Sequence, residues 1–320
     1  MHLLTLFLAL LIDRFVGDPD WVWGRVKHPV VIFGAAVSLG DGWLNRAENS
    51  PYQKRRNGFA AIAGLLVLAV FSGLAAVWLC GLFGSFGFLA QAVIASVFLA
   101  QKSLLDHVAA VSRGLKTGGL EGGRPAVSMI VGRDPASLDE SGVCRAAIES
   151  LAENSSDGVI APAFWFAVAG LPGLFAYKML NTADSMIGHM NERYRDFGRA
   201  SAKLDDVANW IPARLTGLLL IAAGALVAGV DTARRAFGGM LRDARLHRSP
   251  NAGWPESAMA GLTGLALAGP RVYKGDIANE PMLNAGGRRD AGVFDIAAAI
   301  KIVSTMFTLF AGGAAVMALL

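Results

Sequence analysis

The feature that most constrains this chain is an uncharged apolar run at residues 59–80. A helix needs about 20 such residues to cross the hydrocarbon core of a bilayer, so the run predicts a membrane span. Only 17% of the residues are charged, 54% are hydrophobic, and the mean hydropathy is +0.46. Soluble domains carry about 25% charged residues. The composition therefore excludes a disordered chain, a coiled coil and an ordinary cytosolic enzyme, and it indicates a membrane protein.

Further apolar runs extend this prediction along the chain. We predict an all-α, polytopic integral membrane protein with long polar helical loops, forming a single membrane-embedded domain over residues 1–320. Membrane segments are expected near residues 1–16, 59–80, 86–100, 159–177, 211–230 and 294–320. The polar loops hold most of the charge and are expected to form the functional site; they lie at residues 101–158, 178–210 and 231–293.

The topology of these segments stays open at this stage. All the long loops contain several lysines and arginines, which favours the cytoplasmic side for each of them. An odd number of spans between two such loops would violate that rule. Segment 159–177 contains Pro162 and Pro172, so it either spans or dips into the membrane and returns. Alternatively, the weak apolar run at 258–268 inserts as well.

Several functional classes are excluded by what the sequence lacks. The net charge is only +4 and no long basic run occurs, so we expect no nucleic-acid partner. Cys80 and Cys144 form no CxxC motif, so neither a disulfide framework nor a zinc site is predicted. The apolar start lacks a basic n-region and a cleavage site, which favours a membrane-associated helix over a cleaved signal peptide. No P-loop, GxGxxG, HExxH or GxSxG motif is present.

The densest acidic cluster lies in the stretch AIESLAENSSDG. Glu149, Glu153 and Asp157 are spaced i, i+4 and i+8, which places them on one face of a helix. A bound cation would relieve the repulsion among them. The stretch leads directly into an apolar segment. Charge is costly near a membrane boundary, so carboxylates placed there more often have a function. Spacing alone supports a solvated helix face equally well.

Two further clusters follow within about sixty residues. Asn181 and Asp184 share a helical face, and Lys178 lies three residues earlier; a helix cap would explain them equally well. Asp205 and Asp206 precede an apolar segment, where paired aspartates suit Mg²⁺, although an acidic first helical turn is the alternative. Together the three clusters predict a polar site at the membrane surface that binds Mg²⁺ and a phosphorylated ligand.

Other polar residues are candidates for contacts to such a ligand. Arg133 and Arg145 are suited to binding phosphate, although a structural or topogenic role explains any single arginine. The turn-rich stretch SPNAGWPE contains Asn251 and Glu256, which are positioned to line a site if that loop folds onto it.

These residues occur within long segments that resemble the CobD/CbiB family of cobalamin biosynthesis, the adenosylcobinamide-phosphate synthases. The resemblance covers most of residues 10–275 and ends at Tyr273-Lys274-Gly275. Ordered matches of this length are more specific than any short motif. They comprise LLIDRFVGDPDW, HPVVIFG, SMIVGRDPASLDESGVCRAAIESLAENSSDGVIAPAFWF, YKMLNTADSMIGHMNERYRDFGRASAKLDDVANWIPARL and HRSPNAGWPESAMAGLTGLALAGP.

The resemblance implies an integral membrane enzyme, an ATP-dependent acid–amine ligase. It would join (R)-1-aminopropan-2-yl phosphate to the propionate carboxylate of adenosylcobyric acid, giving adenosylcobinamide phosphate. The implied cofactors are ATP and Mg²⁺. The implied surroundings are the cell inner (plasma) membrane, crossed several times, with the site facing the cytoplasm. Other late enzymes of cobalamin biosynthesis are plausible partners, although no residue shows this.

Combined with the clusters, the resemblance gives each candidate residue an expected role. Catalytic roles are expected for Glu149, Glu153, Asp157 and Asp184. Substrate binding is expected for Arg133, Arg145, Asn154, Lys178, Asn181, Asn251 and Glu256. Metal binding is expected for Glu153, Asp157, Asp184, Asp205 and Asp206. The sequence does not decide which carboxylate has which task.

Three other classes stay as alternatives. A corrinoid carrier would use intramembrane carboxylates and proline-broken helices, but it would show internal two-fold symmetry, which the sequence lacks. A membrane sensor without ligase activity would not need three adjacent acidic clusters. A membrane prenyltransferase would need DxxxD-type spacing, and Asp205-Asp206 does not provide it.

Overall fold

The computed structural model describes residues 2–132, 134–273, 276–278 and 280–320. The described chain is almost entirely helical, which confirms the all-α prediction. Its helices are α1 His2–Phe15, α2 Asp20–Trp23, α3 Pro29–Leu44, α4 Pro51–Gly81, α5 Gly87–Ser96, α6 Gln101–Ser128, α7 Glu140–Ser155, α8 Ala161–Ile187, α9 Arg199–Ala208, α10 Trp210–Val227, α11 Val230–Asp243, α12 Gly253–Thr263 and α13 Val293–Leu319. Short 3₁₀ turns lie at Gly84–Phe86, Pro135–Ser137 and Ala244–Leu246, and a π-helical turn lies at Ser156–Ile160.

Four strands of two or three residues interrupt the helices near the end of the chain. They are β1 Leu267–Ala268, β2 Arg271–Tyr273, β3 Asp276–Ala278 and β4 Met282–Leu283. The first pairs antiparallel with the last, in the register Leu267 with Leu283, and the middle two pair antiparallel with each other. They form two small ribbons within a polar segment that was predicted to be helical loop.

Five helical stretches of the described chain are long and apolar enough to cross a membrane. They are Pro51–Gly81, Gly84–Ser128, Glu140–Ile187, Trp210–Val227 and Val293–Leu319. They contain five of the six predicted membrane segments. The sixth corresponds to α1, whose fourteen residues fall short of the about 20 needed for a span. The structure thus confirms several membrane-spanning candidates.

Helix α4 shows why these stretches suit a lipid environment. It begins with a capping box in which Ser50 Oγ accepts from the Gln53 N–H and Gln53 Oε1 accepts from the Ser50 N–H, with Pro51 as the first helical residue. Further along, Phe71 and Trp78 are more than 60% exposed. Large apolar side chains that face outward in such numbers are typical of a surface covered by lipid.

The chain divides into two compact units. Unit 1 contains residues 1–100, 161–209 and 314–320, and unit 2 contains residues 101–160 and 210–313. In unit 1, α4 and α8 can approach closely because Gly73 has no side chain. A Cβ at this position would collide with the Pro172 backbone. The prediction of one membrane-embedded domain stays a prediction.

Helix α8 reverses direction in its interior. Gly170 has φ 62°, in the left-handed region that favours glycine, and Ala169 is also non-helical. Gly173 packs against the Trp165 carbonyl, whereas residues eight apart in a straight helix lie about 12 Å apart. The leg before the turn is also only about 12 Å long, against about 30 Å of hydrocarbon. Of the two alternatives for segment 159–177, the structure therefore shows a segment that turns back.

Candidate functional site

A polar cluster of unit 1 lies between α8 and α9. Tyr177, Asn181 and Asp184 are spaced i, i+4 and i+7, so the second leg of α8 presents them on one face. Helix α9 contributes Asp205, and Asn209 caps its C-terminus. Asn209 Nδ2 donates to Asp205 Oδ2 at 2.8 Å, and the Tyr177 hydroxyl donates to Asn209 Oδ1 at 2.9 Å. We call these five residues the α8–α9 cluster.

Asp205 is the electrostatic centre of this cluster. Burial and, after it, the nearby charge of Asp184 raise the pKa of its carboxyl to about 7. Hydrogen bonds from Asn209 and Asn181 oppose that rise but do not cancel it. Asp205 Oδ1 is buried and has no hydrogen-bond partner among the described residues. An acid held this way is poised to bind a proton or a cation.

The rest of the second and third sequence clusters surrounds this carboxyl pair. Asp206 is half-buried, and burial raises its pKa as well. His189 lies close enough to Asp184 to interact electrostatically with it. Lys178 is half-buried on the neighbouring face of α8. The structure therefore brings the predicted residues Asn181, Asp184 and Asp205 together in unit 1, with Asp206 beside them.

The first sequence cluster belongs to unit 2, and one of its members points inward. Glu149 is only 3% exposed, and its Oε1 accepts a hydrogen bond of 2.8 Å from the Ala268 N–H. Ala268 has φ 57°, an uncommon conformation for a residue with a side chain. The Glu149 carboxylate thus holds a constrained backbone turn. Glu149 is buried, while Glu153 on the same helix and Asp157 beyond its end are half-buried. The expectation of one shared face therefore holds for Glu149 and Glu153, which are four residues apart in α7, but not for Asp157.

The π-helical turn explains part of that difference. It spans Ser156–Ile160 directly after α7 and therefore takes Asp157 out of the α-helical register assumed from the sequence. Such turns often occur at functional sites. Ser156 Oγ within it is buried without a hydrogen-bond partner among the described residues.

We expect Glu149 to contribute to stability through its hydrogen bond with the Ala268 N–H. Glu149→Ala would leave the buried Ala268 N–H unsatisfied and cost about 1–3 kcal/mol of unfolding free energy. Glu149→Gln keeps an acceptor oxygen and serves as the matched control, with a smaller loss. Thermal unfolding in detergent measures both variants. Equal losses in the two would show that the charge, and not the acceptor, matters at this position.

The predicted substrate-binding residues of unit 2 are distributed over separate contacts. Arg145 Nη1 donates to Ser141 Oγ at 3.0 Å and to the Arg289 carbonyl. Asn154 Nδ2 donates to the Ser150 carbonyl at 2.9 Å. Arg133 lies outside the described residues, as does the Lys274-Gly275 pair.

Asn251 and Glu256 lie in a third polar group, also in unit 2. Asn251 Oδ1 accepts from Arg214 Nη1 at 3.0 Å. The Arg214 guanidinium lies between the Trp210 and Trp254 rings, at 4.4 and 4.7 Å from their centroids. Glu256 Oε1 lies 3.6 Å from His247 Nε2, and both side chains are buried.

Sequence reasoning missed Tyr177, Asn209, Arg214 and His247. Only Asn209 gave a usable signal, since it follows Asp205 by four residues and so lies on the same helical face. Tyr177 was counted as the end of an apolar segment, and Arg214 as part of a span.

The metal assignment stays a prediction. Within the described ranges, no group of three or more His, Cys, Asp or Glu side chains is arranged to hold a metal ion. The α8–α9 cluster contains two carboxylates, Asp184 and Asp205. Mg²⁺ is usually bound by one or two carboxylates together with waters and substrate phosphates. The donor set of this cluster therefore fits Mg²⁺ bound together with a phosphorylated ligand.

Fold and site together define a class of protein: a polytopic helical membrane protein with buried carboxylates and carboxamides in its polar segments. The sequence profile described as CobD/Cbib protein matches residues 6–303. The chain belongs to this family.

Individual relatives cover nearly the whole chain. A Brucella suis protein is 57% identical over 98% of this chain and 95% of its own length, and a Sinorhizobium protein is 58% identical over 97% and 96%. A Rhodobacter capsulatus protein is 50% identical over 87% and 85%. Each is named cobalamin biosynthesis protein CobD. No solved structure matches the chain.

Proposed function

We propose that this protein is an ATP-dependent amide ligase of cobalamin biosynthesis. It would attach (R)-1-aminopropan-2-yl phosphate to the propionate carboxylate of adenosylcobyric acid and release adenosylcobinamide phosphate. Family membership and the names of the relatives support the pathway. The observation that carries the proposal is the Asp184–Asp205 pair, in which Asp205 is buried and keeps an oxygen without a hydrogen-bond partner among the described residues.

The chemistry requires activation of a carboxylate, because oxide is not a viable leaving group. A carboxylate oxygen of the corrinoid attacks a phosphorus of ATP, giving an acyl phosphate and ADP, or an acyl adenylate and diphosphate. The amine nitrogen then attacks the acyl carbon, the C–O bond breaks, and phosphate or AMP departs with that oxygen. The attacking nitrogen loses one proton to a base for each amide formed.

The α8–α9 cluster supplies groups suited to this reaction. Asp184 and Asp205 would hold Mg²⁺, which when bound neutralises charge on the nucleotide phosphates. Asn209 orients the Asp205 carboxylate, and Tyr177 fixes the orientation of the Asn209 amide. Lys178, Arg133 and Arg145 are proposed to bind substrate phosphates. Glu153 and Asp157 remain candidates for the proton acceptor.

A raised pKa at a cation-binding carboxylate predicts competition between protons and metal. With a pKa of about 7, Asp205 binds a proton as the pH falls through neutrality and then releases its hold on a cation. We expect activity to fall as the pH drops below about 7. In a profile of activity against pH, this acid limb should move to lower pH when the Mg²⁺ concentration is raised tenfold. A limb that does not respond to Mg²⁺ would assign the titration to another group.

Asn209 is predicted to set the position of that limb. In Asn209→Ala, the Asp205 carboxylate loses the donor that lowers its pKa, so the acid limb of kcat/KM should move toward higher pH. Asn45→Ala is a matched control, because Asn45 Nδ2 likewise donates, at 2.8 Å, to the aspartate four residues earlier, Asp41. The same shift in both variants would indicate a general loss of folding rather than positioning of Asp205.

A direct assay tests the proposed reaction. The protein is purified in mild detergent and supplied with adenosylcobyric acid, aminopropanol phosphate and MgATP, and the products are followed by mass spectrometry. A corrinoid heavier by aminopropanol phosphate minus water, formed only with ATP and Mg²⁺, is the expected result. Folded protein that makes no product would favour a corrinoid carrier or a sensor, because transport has no meaning in detergent.

Membrane placement forms part of the proposal. ATP and the corrinoid substrate are expected on the cytoplasmic side of the inner membrane, so the α8–α9 cluster is proposed to face that side. The lysines and arginines of the polar loops support this orientation, because such residues are retained on the cytoplasmic side.

A further inference from the structure

Helices α10 and α11 of unit 2 form an antiparallel hairpin. Ala228 and Gly229 join them, and Gly229 has φ 91°. Gly217 packs against Met240 Sδ, and these two residues lie twelve before and eleven after Gly229. Two residues equally far from a turn meet only when the helices run side by side. Helix α11 therefore lies along most of α10.

Helix α12 fixes this arrangement from a third side. A Cβ at Gly224 on α10 would collide with the Leu262 side chain, and a Cβ at Gly261 on α12 would collide with Ala236 on α11. The buried row of α11 consists of Ala233, Ala236, Met240 and Asp243. Close backbone packing at small residues on all three helices makes the hairpin a rigid element of unit 2.

The composition of α11 conflicts with a position inside a bilayer. Five of its fourteen residues are charged: Asp231, Arg234, Arg235, Arg242 and Asp243. If α10 crossed the membrane along its length, α11 would have to run back through the hydrocarbon beside it. Charged side chains are costly there, and Arg234, Arg235 and Arg242 are exposed on the surface of the unit. The hydropathy of α10 favours a membrane span. The charge of α11, which packs along it, argues against one.

The exposed surface of the hairpin suits the edge of a membrane. Helix α10 exposes Ile211, Leu218 and Leu226 at 52%, 51% and 69%, and α11 exposes Val230 at 72% and Leu241 at 48%. Basic helices that combine exposed apolar side chains with arginines lie in the plane of the interface, with the apolar groups among acyl chains. Their arginines are attracted to anionic lipid phosphates.

We propose that the α10–α11 hairpin lies along the membrane–water interface, with Arg234 and Arg235 on anionic phospholipid headgroups, and does not cross the bilayer. The polar segment that follows α10, residues 231–293, then stays on the side of the membrane on which α10 begins. The inference concerns membrane placement alone and does not depend on the proposed ligase activity.

Cysteine accessibility tests this placement directly. In a Cys80→Ala/Cys144→Ala background, single cysteines are introduced by Val207→Cys before α10 and Ala228→Cys at the turn; both positions are exposed. Sealed cells are treated with a membrane-impermeant maleimide before and after permeabilisation. Tyr52→Cys and Phe83→Cys, at the two ends of α4 and exposed at 74% and 66%, provide the control for a true span.

The expected result is labelling of positions 207 and 228 from the same side, while positions 52 and 83 label from opposite sides. Labelling of 207 and 228 from opposite sides would show that α10 crosses the bilayer and would overturn the proposal. Failure of the α4 pair to differ would contradict the use of α4 as a span, and the comparison then uses the ends of α13.

Lipid dependence tests the headgroup contact. The protein is placed in nanodiscs of phosphatidylcholine alone or with one-third phosphatidylglycerol, and Tm is measured at low and high salt. We expect anionic lipid to raise Tm by about 2–4 °C at low salt, and Arg234→Gln/Arg235→Gln to lose most of that gain. As a control, Arg113→Gln/Lys116→Gln removes the same amount of charge from exposed positions on α6. This variant should keep the rise in Tm caused by anionic lipid. Equal gains in the wild type and in the Arg234/Arg235 variant would overturn the headgroup assignment.

Discussion

Asp205→Asn is expected to abolish ligase turnover and, at pH 8, to raise the free energy of unfolding. The Asp205 carboxyl has a pKa of about 7 in the fold, against 3.8 as its ordinary value. The folded state therefore retains a proton that the unfolded chain has already released between these pH values. The resulting destabilisation is absent below about pH 4, grows as the pH rises, and is complete above about pH 7.

The size of this effect follows from the pKa difference. Each pKa unit corresponds to about 1.4 kcal/mol, so the shift sets a ceiling of about 4 kcal/mol. We expect Asp205→Asn to gain about 1–3 kcal/mol at pH 8 and little at pH 4, because the neutral amide is not penalised by burial beside Asp184. Chemical unfolding at the two pH values measures the difference.

An exposed aspartate supplies the control for that measurement. Asp106 is 60% exposed on its side chain and paired with Lys102, so Asp106→Asn should change stability by less than about 1 kcal/mol at both pH values. If Asp205→Asn were less stable than the wild type at pH 8, an unidentified partner would have to compensate the ionised carboxylate. In that case the account of Asp205 as an uncompensated acid would be wrong.

Asp184→Asn and Asp157→Asn are each expected to lower turnover by about 10²-fold or more while the protein still inserts and folds. Asp184 lies against Asp205 in the α8–α9 cluster, so the substitution removes one of the two proposed cation ligands. Asp157 lies in the π-helical turn after α7 and was predicted as a catalytic residue.

These two variants are assayed as the wild type is, by mass-resolved product formation, and their folding is checked by Tm and elution volume. Asp106→Asn again serves as the control and should retain activity. Wild-type turnover in Asp184→Asn would remove the α8–α9 cluster from the reaction. Wild-type turnover in Asp157→Asn would leave that residue a purely structural role in unit 2.

Much of the fold follows from local sequence pattern. The apolar runs at residues 59–80 and 294–320 predict helices because a chain in lipid must satisfy its own backbone hydrogen bonds. Helix α4 also begins where the Ser50-Pro51 pair and Gln53 predict it. The spacing of Asn181 and Asp184 correctly placed both on one face of α8.

Local pattern failed where distant segments determine a residue's surroundings. For Glu149 the sequence left a solvated helix face open as an alternative, whereas the structure buries the side chain and pairs its Oε1 with the Ala268 N–H from a distant part of the chain. For segment 159–177 hydropathy and the two prolines left a span and a returning segment both open, and the turn at Gly170 within α8 decides for the returning segment.

By itself, the sequence determined that this chain is a helical membrane protein of the CobD/CbiB type, because hydrophobic length and ordered motifs are written in consecutive residues. It also supplied Asp184 and Asp205 as site candidates. Only the tertiary structure decided that these two carboxyls adjoin, that Asn209 and Tyr177 orient one of them, and that α11 lies along α10. Those relations depend on packing between separate helices, where burial and neighbouring charge set the chemistry of each side chain.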